Sequence, residues 1–336
     1  MLSAVLAGPN LRALFPGFMV SVLVAATAQF LSEHYGAPAM LLALLLGLAL
    51  NFLSEEGTKT AAGIAVTSKT VLRVGVALLG ARISVDMLSD LGFDLIALVV
   101  GGVISTILFG LVLSRFFGQS RSFSFLTAGS VAICGASAAM AIAAILPNHE
   151  KSERDLAFTV ISVTLLSTVA MVIYPALSTY FGFDAKAGGV FLGGTIHDVA
   201  QVVGAGFSIS PETGETATLV KLIRVSMLAP VVLFASVAIR MSGAANGEGK
   251  KPPLLPTFVV GFIILAAANS LGLIPQAVSH WAGSISRWAL LISIAAVGIK
   301  TSIVKMLSVG GPAIAMIIIE TLFIGGFVLC GIYLLG

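Results

Sequence analysis

The chain has 336 residues and a formal net charge of +3, and 58% of its residues are hydrophobic while only 10% are charged. Because a soluble domain carries about a quarter charged residues, this composition excludes an ordinary water-facing surface. The small net charge gives no reason to expect a nucleic-acid partner. Two cysteines, Cys134 and Cys330, lie in apolar sequence surroundings and imply no disulfide framework.

Apolar windows of about 20 residues, the length that crosses a bilayer, occur along the whole chain. They predict an all-α polytopic membrane protein with about eleven transmembrane helices and a single transmembrane domain over residues 1–336. The first window follows Arg12 without a small-residue cleavage site, which predicts a retained span rather than a signal peptide. The predicted spans lie near residues 14–31, 37–53, 67–84, 92–114, 123–146, 155–180, 186–207, 216–240, 254–271, 285–303 and 311–335.

Basic residues predict an orientation. Outside the embedded Arg73 and Arg224 they divide eleven to five between the two faces, which by the positive-inside tendency predicts an N-terminus inside and a C-terminus outside.

An internal repeat is visible at an offset of 218 residues. It relates the halves 38–114 and 256–335, which lie seven predicted spans apart, so an odd number of crossings predicts inverted copies. Inverted repeats are typical of secondary transporters, whose binding site lies where the copies meet. Asn51 and Asn269, equivalent in the repeat, are expected to cap or bridge helices. The matched pairs include Pro38 with Pro256, Asn51 with Asn269, Lys69 with Arg287, Gly80 with Gly298, Arg82 with Lys300, Ser84 with Ser302 and, after one inserted residue, Met87 with Met306.

The polar motifs lie between these halves, within residues 123–240. In span five, Ser130, Cys134 and Ser137 have the spacing of one helix face, with Gly135 among them. One interpretation is a packing seam of small residues. The other is a discontinuous helix whose amides and hydroxyls bind an anion. The residues alone leave both open.

Span seven carries His197, Asp198 and Gln201 beside the glycine pair Gly193-Gly194. Ionisable groups at membrane depth are costly and usually mark an ion or substrate pathway, and the glycines predict a second discontinuous helix. Histidine changes charge near neutral pH, which suits proton coupling, and Asp198 could orient it or carry the proton. No other histidine has a ligand spacing from His197, so no metal site or cofactor is predicted.

Charged residues in three other spans complete the candidate site. Lys221 and Arg224 are three residues apart in span eight, and for Lys221 an interfacial snorkelling role is equally favoured. Arg73 in span three and Arg224 offer planar donor forks that suit oxyanions. Glu320 in span eleven could neutralise an arginine or act as a second protonatable group.

Four segments carry a family resemblance: the Ile-Cys-Gly-Ala-Ser core at 133–137, the run Gly194-Thr195-Ile196-His197-Asp198-Val199-Ala200-Gln201, and the segments Lys221-Leu222-Ile223-Arg224 and Leu72-Arg73-Val74-Gly75. They resemble the YeiH-type family of bacterial proteins designated sulfate exporters. The resemblance covers essentially the whole chain. The family's pattern more often has Glu at the position of Asp198. The resemblance implies a multi-pass carrier of the bacterial inner membrane, in the broad group of sodium–proton antiporters and bile-acid symporters, with inverted repeats, crossing discontinuous helices and elevator or rocking motion.

Together these features predict secondary active transport, in the direction of export, of sulfate or a related sulfur oxyanion or organosulfonate. A gradient of H⁺ or Na⁺ would drive it, no enzyme activity is expected, and a homodimer is left open. The substrate would be bound by Arg73, Ser130, Cys134, Gly135, Ser137, Gln201, Lys221 and Arg224, and coupling would use His197, Asp198 and Glu320. The alternatives are a cation–proton antiporter, which needs facing carboxylates, and an intramembrane enzyme using His197 and Asp198.

Overall fold

A computed structural model describes residues 11–35, 37–83, 89–147, 150–241, 257–301 and 311–335, and these residues form helices and connecting turns with no strand among them. The helices are α1 (Leu11–Tyr35), α2 (Ala39–Ala49), α3 (Ala61–Arg82), α4 (Phe93–Phe117), α5 (Arg121–Ala132), α6 (Ala136–Ala143), α7 (Ser152–Tyr180), α8 (Ala185–Thr195), α9 (Val199–Ile209), α10 (Pro211–Ser226), α11 (Leu228–Met241), α12 (Thr257–Ser270), α13 (Gln276–Lys300) and α14 (Gly311–Leu335).

Seven helical segments within the described ranges are long and apolar enough to cross a membrane. The other four predicted spans, 37–53, 123–146, 186–207 and 254–271, fall on short or interrupted helices, including α2, α9 and α12 with 10–17 residues. A hydropathy window averages across an interruption, so it cannot separate one spanning helix from two half-helices. The all-helical class is confirmed, and the count of eleven spans stays a prediction.

The chain divides into two compact units, one made of residues 1–84 and 261–303 and the other of residues 85–260 and 304–336. In the first unit, α13 packs against α1, α2 and α3, and α1 packs against α2 and α3. Asn51 donates a hydrogen bond to the Ile299 carbonyl oxygen (2.9 Å), and Asn269 donates to the Ile83 carbonyl oxygen (3.3 Å). Both asparagines therefore bridge helices, as the sequence predicts.

Two glycine contacts in the first unit are reciprocal. A Cβ atom added to Gly80 would lie 2.4 Å from the Phe262 carbonyl oxygen, and one added to Gly298 would lie 2.4 Å from the Leu44 carbonyl oxygen. Gly80 and Gly298 are repeat equivalents, and so are Leu44 and Phe262. When a two-fold axis relates two segments, each contact between two residues is accompanied by the same contact between their equivalents.

These contacts support an internal repeat within the first unit. The full repeat over 38–114 and 256–335 stays a prediction. Several of its matched pairs have at least one member outside the described residues, namely those of Pro256, Ser84 and Met87.

In the second unit, α10 packs against α8 and α9, α4 packs against α5 and α14, and α7 packs against α6 and α9. The polar residues predicted between 123 and 240 lie in this unit, on the two short pairs α5–α6 and α8–α9, in the breaks within them, and on the neighbouring α10.

Candidate functional site at two interrupted helices

Two predicted spans are interrupted near their centres. The first breaks over Ile133–Gly135 between α5 and α6, and the second breaks over Ile196–Asp198 between α8 and α9. Gly135 has φ +59° and ψ −127°, a conformation that residues with a side chain rarely adopt. The break in span seven agrees with the prediction, and in span five the structure has the discontinuous helix, one of the two interpretations that the sequence leaves open. Each break leaves carbonyl groups unpaired at one helix end and amide groups unpaired at the next helix start.

The interruption corrects one prediction about span five. Ser130, Cys134 and Ser137 do not share a face of one helix, because Ser130 lies in α5, Cys134 lies in the break and Ser137 lies in α6. Ser130 is buried and donates to the Leu126 carbonyl oxygen, Cys134 is 3% exposed, and Ser137 is exposed. The three side chains therefore have different environments.

The carboxyl ends of α5 and α8 are held by two cations from α10. The ammonium of Lys221 donates to the carbonyl oxygens of Ile133 (2.8 Å) and Ile196 (2.9 Å), one from each break. Arg224 donates from Nε to Ala132 (2.8 Å) and from Nη2 to Val131 (2.7 Å). Its Nη1 donates to Gly193 (3.0 Å) and Ile196 (2.9 Å).

Both cations are 0% exposed, so Lys221 does not snorkel to an interface. Four of the five N–H groups of Arg224 are bonded to backbone carbonyls. The carboxyl end of a helix carries a partial negative charge, which a cation stabilises. The geometry thus favours a capping role for Lys221 and Arg224. Their predicted role as substrate ligands stays a prediction.

The amino end of α6 meets Asp198. The Oδ1 atom of Asp198 accepts a hydrogen bond from the Ala136 amide (3.1 Å), and the Asp198 amide donates to Ser167 Oγ (3.0 Å). A Cβ atom added to Gly135 would lie 2.1 Å from Asp198 Oδ1, so only glycine admits the carboxylate there. Because Asp198 also precedes the first turn of α9, one residue joins the amino ends of both half-helices.

Helix α14 contributes two adjacent polar residues. His197 Nε2 lies 3.0 Å from Thr321 Oγ1, and Thr127 Oγ1 donates to Glu320 Oε1 at 3.1 Å. Glu320 is 0% exposed, and its Oε2 has no hydrogen-bond partner within the described residues. The carboxyl group is therefore hydrogen-bonded to a threonine of α5, and no ion pair joins it to an arginine among the residues that the structure describes.

Gln201 lies in the first turn of α9 and is 1% exposed. Its Nε2 is 3.4 Å from Thr168 Oγ1 of α7, and its Oε1 has no partner within the described residues. Sequence reasoning missed Ser167 and Thr168. A Ser-Thr pair inside the apolar helix α7 was the available signal, since hydroxyls at membrane depth commonly join helices.

Arg73 belongs to the first unit, on α3, and its side chain is exposed. It is the one predicted substrate ligand that does not lie in the unit of the two interruptions. Its role in binding stays a prediction.

A family model described as Conserved hypothetical protein 698 matches residues 16–317. The UPF0324 membrane protein TauZ of Paracoccus pantotrophus is 73% identical over 323 residues, covering 96% of each chain. This chain belongs to the UPF0324 membrane protein family. UPF0324 relatives include TauZ of Paracoccus denitrificans, 71% identical over 97% of each chain, and membrane protein RB0971 of Rhizobium meliloti (strain 1021), 60% identical over 96% of this chain and 93% of the relative.

UPF0324 membership and the seven long apolar helices make this chain a multi-pass membrane protein. The family description and these relatives' names state no transported substance, so the sulfate exporter designation stays a prediction, as does the inner membrane.

Proposed function

We propose that this UPF0324 protein is a secondary active transporter of a small anion, either sulfate or a related sulfur oxyanion or organosulfonate, coupled to H⁺ or Na⁺. The observation that carries the proposal is the meeting of two interrupted helices at Asp198. Half-helices that end inside a membrane present backbone dipoles to substrates and ions, which is how many secondary transporters build their sites.

The balance of donors and acceptors favours an anion as the substrate. Each helix leaves its first four amide groups without an intrahelical partner. The amino ends of α6 and α9 therefore supply more N–H donors than the single carboxylate of Asp198 accepts. At the opposite ends the carbonyls are already paired with Lys221 and Arg224. Where the two breaks meet at Asp198, the backbone therefore offers more N–H donors than acceptors, and N–H donors bind negatively charged oxygens.

In this proposal, binding of the coupling ion is assigned to Asp198, Glu320 and His197. Asp198 is partly exposed, so an ion can reach it. His197 and Glu320 make hydrogen bonds to neighbouring helices through Thr321 and Thr127. A proton or Na⁺ bound at Asp198 would neutralise the charge that faces the Ala136 amide. Binding of the ion and of the anion would then depend on each other through this carboxylate.

A cation–proton antiporter is the second candidate. The carboxylate of Asp198 at the crossing favours it, because a carboxylate is the group that exchanges a proton for a cation. The prediction of an anion rested partly on two embedded arginines, and the donors of Arg224 are engaged with carbonyls. The transport assay must therefore discriminate the two.

The test uses purified protein in proteoliposomes. A panel of sulfate, sulfite, taurine and methanesulfonate is screened for thermal stabilisation, and the strongest binder is measured in counterflow and in accumulation driven by a pH or Na⁺ gradient. We expect Asp198→Asn to abolish accumulation while counterflow continues, and His197→Gln to change the pH dependence of accumulation. Asp94→Asn, at an exposed aspartate of α4 in the same unit, is the matched control.

Three results would contradict the proposal. Na⁺–H⁺ exchange without any dependence on the anions would support the antiporter. Loss of anion binding and counterflow together in Asp198→Asn would place this residue in the substrate site or in the fold. No binding of any panel member would leave the anion assignment without support, and the vesicles would then be tested for cation exchange.

A further inference from the structure

The carboxyl group of Glu320 is enclosed at a close contact of three helices of the second unit. Glu320 lies on α14 and is 0% exposed. A Cβ atom added to Gly110 of α4 would lie 2.7 Å from Glu320 Oε1 and 2.3 Å from the Cβ atom of Ala128 on α5. The absence of a side chain at Gly110 therefore lets α4 approach the carboxyl group this closely, and the three helices together shield it from water.

The side chains that the structure describes around Glu320 include no cation that would balance a negative charge on it. Helices α4, α5, α7 and α8 pack against α14. Two titratable groups from them or from the adjoining break reach the middle of α14: His197 contacts Thr321 (3.0 Å), and the Tyr174 hydroxyl lies 3.9 Å from a Cβ atom added to Gly325. A buried charge without a partner is costly, and a neutral carboxylic acid avoids this cost. The described charged side chains on these four helices all lie in a first or last turn, and they are Asp94, Arg115, Arg121, Arg154, Asp155 and Lys186.

The hydroxyl group of Thr127 can serve both charge states of this carboxyl group. Its Oγ1 atom lies 3.1 Å from Glu320 Oε1 and 3.2 Å from the Ser124 carbonyl oxygen. A threonine hydroxyl donates one proton and accepts through its lone pairs. When Glu320 is ionised, Thr127 donates to it. When Glu320 is neutral, its Oε1–H donates to Thr127, which donates in turn to Ser124. One arrangement of heavy atoms therefore accommodates both states, and only the hydroxyl proton turns.

The surroundings of Glu320 suit a proton better than a metal cation. Hard metal cations such as Ca²⁺ and Mg²⁺ are held by several oxygen ligands at once. Within the described ranges, Glu320 Oε1 contacts one hydroxyl group and Oε2 has no hydrogen-bond partner. The same ranges contain no group of three or more His, Cys, Asp or Glu residues that could hold a metal ion. A proton on the carboxyl group needs one acceptor, which Thr127 supplies.

We infer that Glu320 is a proton-binding site and that H⁺ bound there is a coupling ion of the proposed transport. The coupling role rests on the proposed function, whereas proton binding by itself does not. Release breaks the O–H bond of the neutral acid, passes the proton to a water molecule and leaves a carboxylate, toward which the Thr127 hydroxyl turns. Because Glu320 is buried, water reaches it only when α14 separates from α4 or α5. Proton exchange is thereby tied to a change in helix packing.

Infrared spectroscopy of the full-length protein in lipid vesicles tests proton binding directly, because a protonated carboxyl group has a C=O stretching band that a carboxylate lacks. We expect Glu320→Gln to remove one such band from the wild-type spectrum, and transfer to heavy water to shift this band as the proton exchanges. Glutamine has the size and the donor and acceptor groups of the neutral acid, so this variant is expected to fold. Asp94→Asn, at an exposed aspartate of α4, is the matched control and is expected to leave the band unchanged.

Thr127→Val provides a second variant that keeps the carboxyl group. It removes the hydroxyl that contacts Glu320, so the band of the protonated carboxyl group is expected to change in frequency. Thr127→Ser retains a hydroxyl at this position and is expected to keep the wild-type frequency. A band that Thr127→Val leaves unchanged would belong to another carboxyl group and would count against the assignment to Glu320.

Transport in the same vesicles tests the coupling role. We expect Glu320→Gln to abolish accumulation of the anion driven by a pH gradient while counterflow continues. Identical infrared bands in wild type and Glu320→Gln, or a band that heavy water leaves unshifted, would overturn proton binding and exchange at Glu320. Accumulation that persists in Glu320→Gln, or that a Na⁺ gradient drives and a pH gradient does not, would overturn the coupling role. If the wild type carries no anion, the proposed function fails, and the infrared result alone decides whether Glu320 binds a proton.

Discussion

The capping role of Arg224 leads to a quantitative prediction for Arg224→Gln. The wild-type guanidinium donates four hydrogen bonds of 2.7–3.0 Å to the carbonyl ends of α5 and α8, and its side chain is 0% exposed. Glutamine is shorter, uncharged and has a single amide nitrogen, so most of these bonds are lost. The carbonyl oxygens that remain are buried where water does not replace the donor.

The expected loss of stability follows from the number of bonds. A hydrogen bond to a charged group contributes about 1.5 kcal/mol or more in soluble proteins, while bonds inside membrane proteins average about 0.6 kcal/mol. Four bonds therefore give a decrease in unfolding free energy of about 2 to 6 kcal/mol. Arg224→Lys keeps the charge without the planar fork and is expected to lose roughly half as much.

The assay is reversible unfolding of the purified protein in mixed detergent micelles, with anion affinity measured on the same samples. Arg115→Gln makes the same chemical change at an exposed position and is expected to stay within about 0.5 kcal/mol of wild type. If Arg224→Gln unfolds with the wild-type free energy but no longer binds the anion, Arg224 is a substrate ligand and the capping argument is wrong.

Two further predictions concern glycines. Gly135→Ala forces a Cβ atom to within 2.1 Å of Asp198 Oδ1 at a positive φ, so it is expected to abolish transport in vesicles, while Gly326→Ala remains active; an active Gly135→Ala would show that the carboxylate need not approach the start of α6. Gly80→Ala and Gly298→Ala each bring a Cβ atom to 2.4 Å from a backbone oxygen, and both are expected to lower the unfolding temperature by similar amounts. Unequal effects would count against the two-fold relation.

The two interruptions could be predicted from the sequence because their signals are local. Glycine with neighbouring polar residues inside an apolar window indicates a nearby helix break, as at Gly135 within the first break and at Gly193-Gly194 just before the second. The same local reasoning failed for Ser130, Cys134 and Ser137. Their spacing implies one face only if the helix continues, and it ends before Cys134.

The partners of Lys221 and Arg224 could not be predicted from the sequence. A search for charge partners considers acidic side chains, and the acceptors in the structure are backbone carbonyls, which every residue possesses. Likewise, an apolar window around Arg73 gives no information on which side of α3 is covered, and the side chain is exposed. Tertiary packing decides both matters.

Lys221 bonds to one carbonyl from each break, and the Ile196 carbonyl is shared with Arg224. To slide α5–α6 past α8–α9, the protein would have to break several buried charge-assisted bonds at once, each costly because no water replaces it. A displacement of both pairs together with α10 breaks none of them. We therefore expect the two interrupted helices and α10 to move together as one body, with any conformational change taken up by segments outside these contacts.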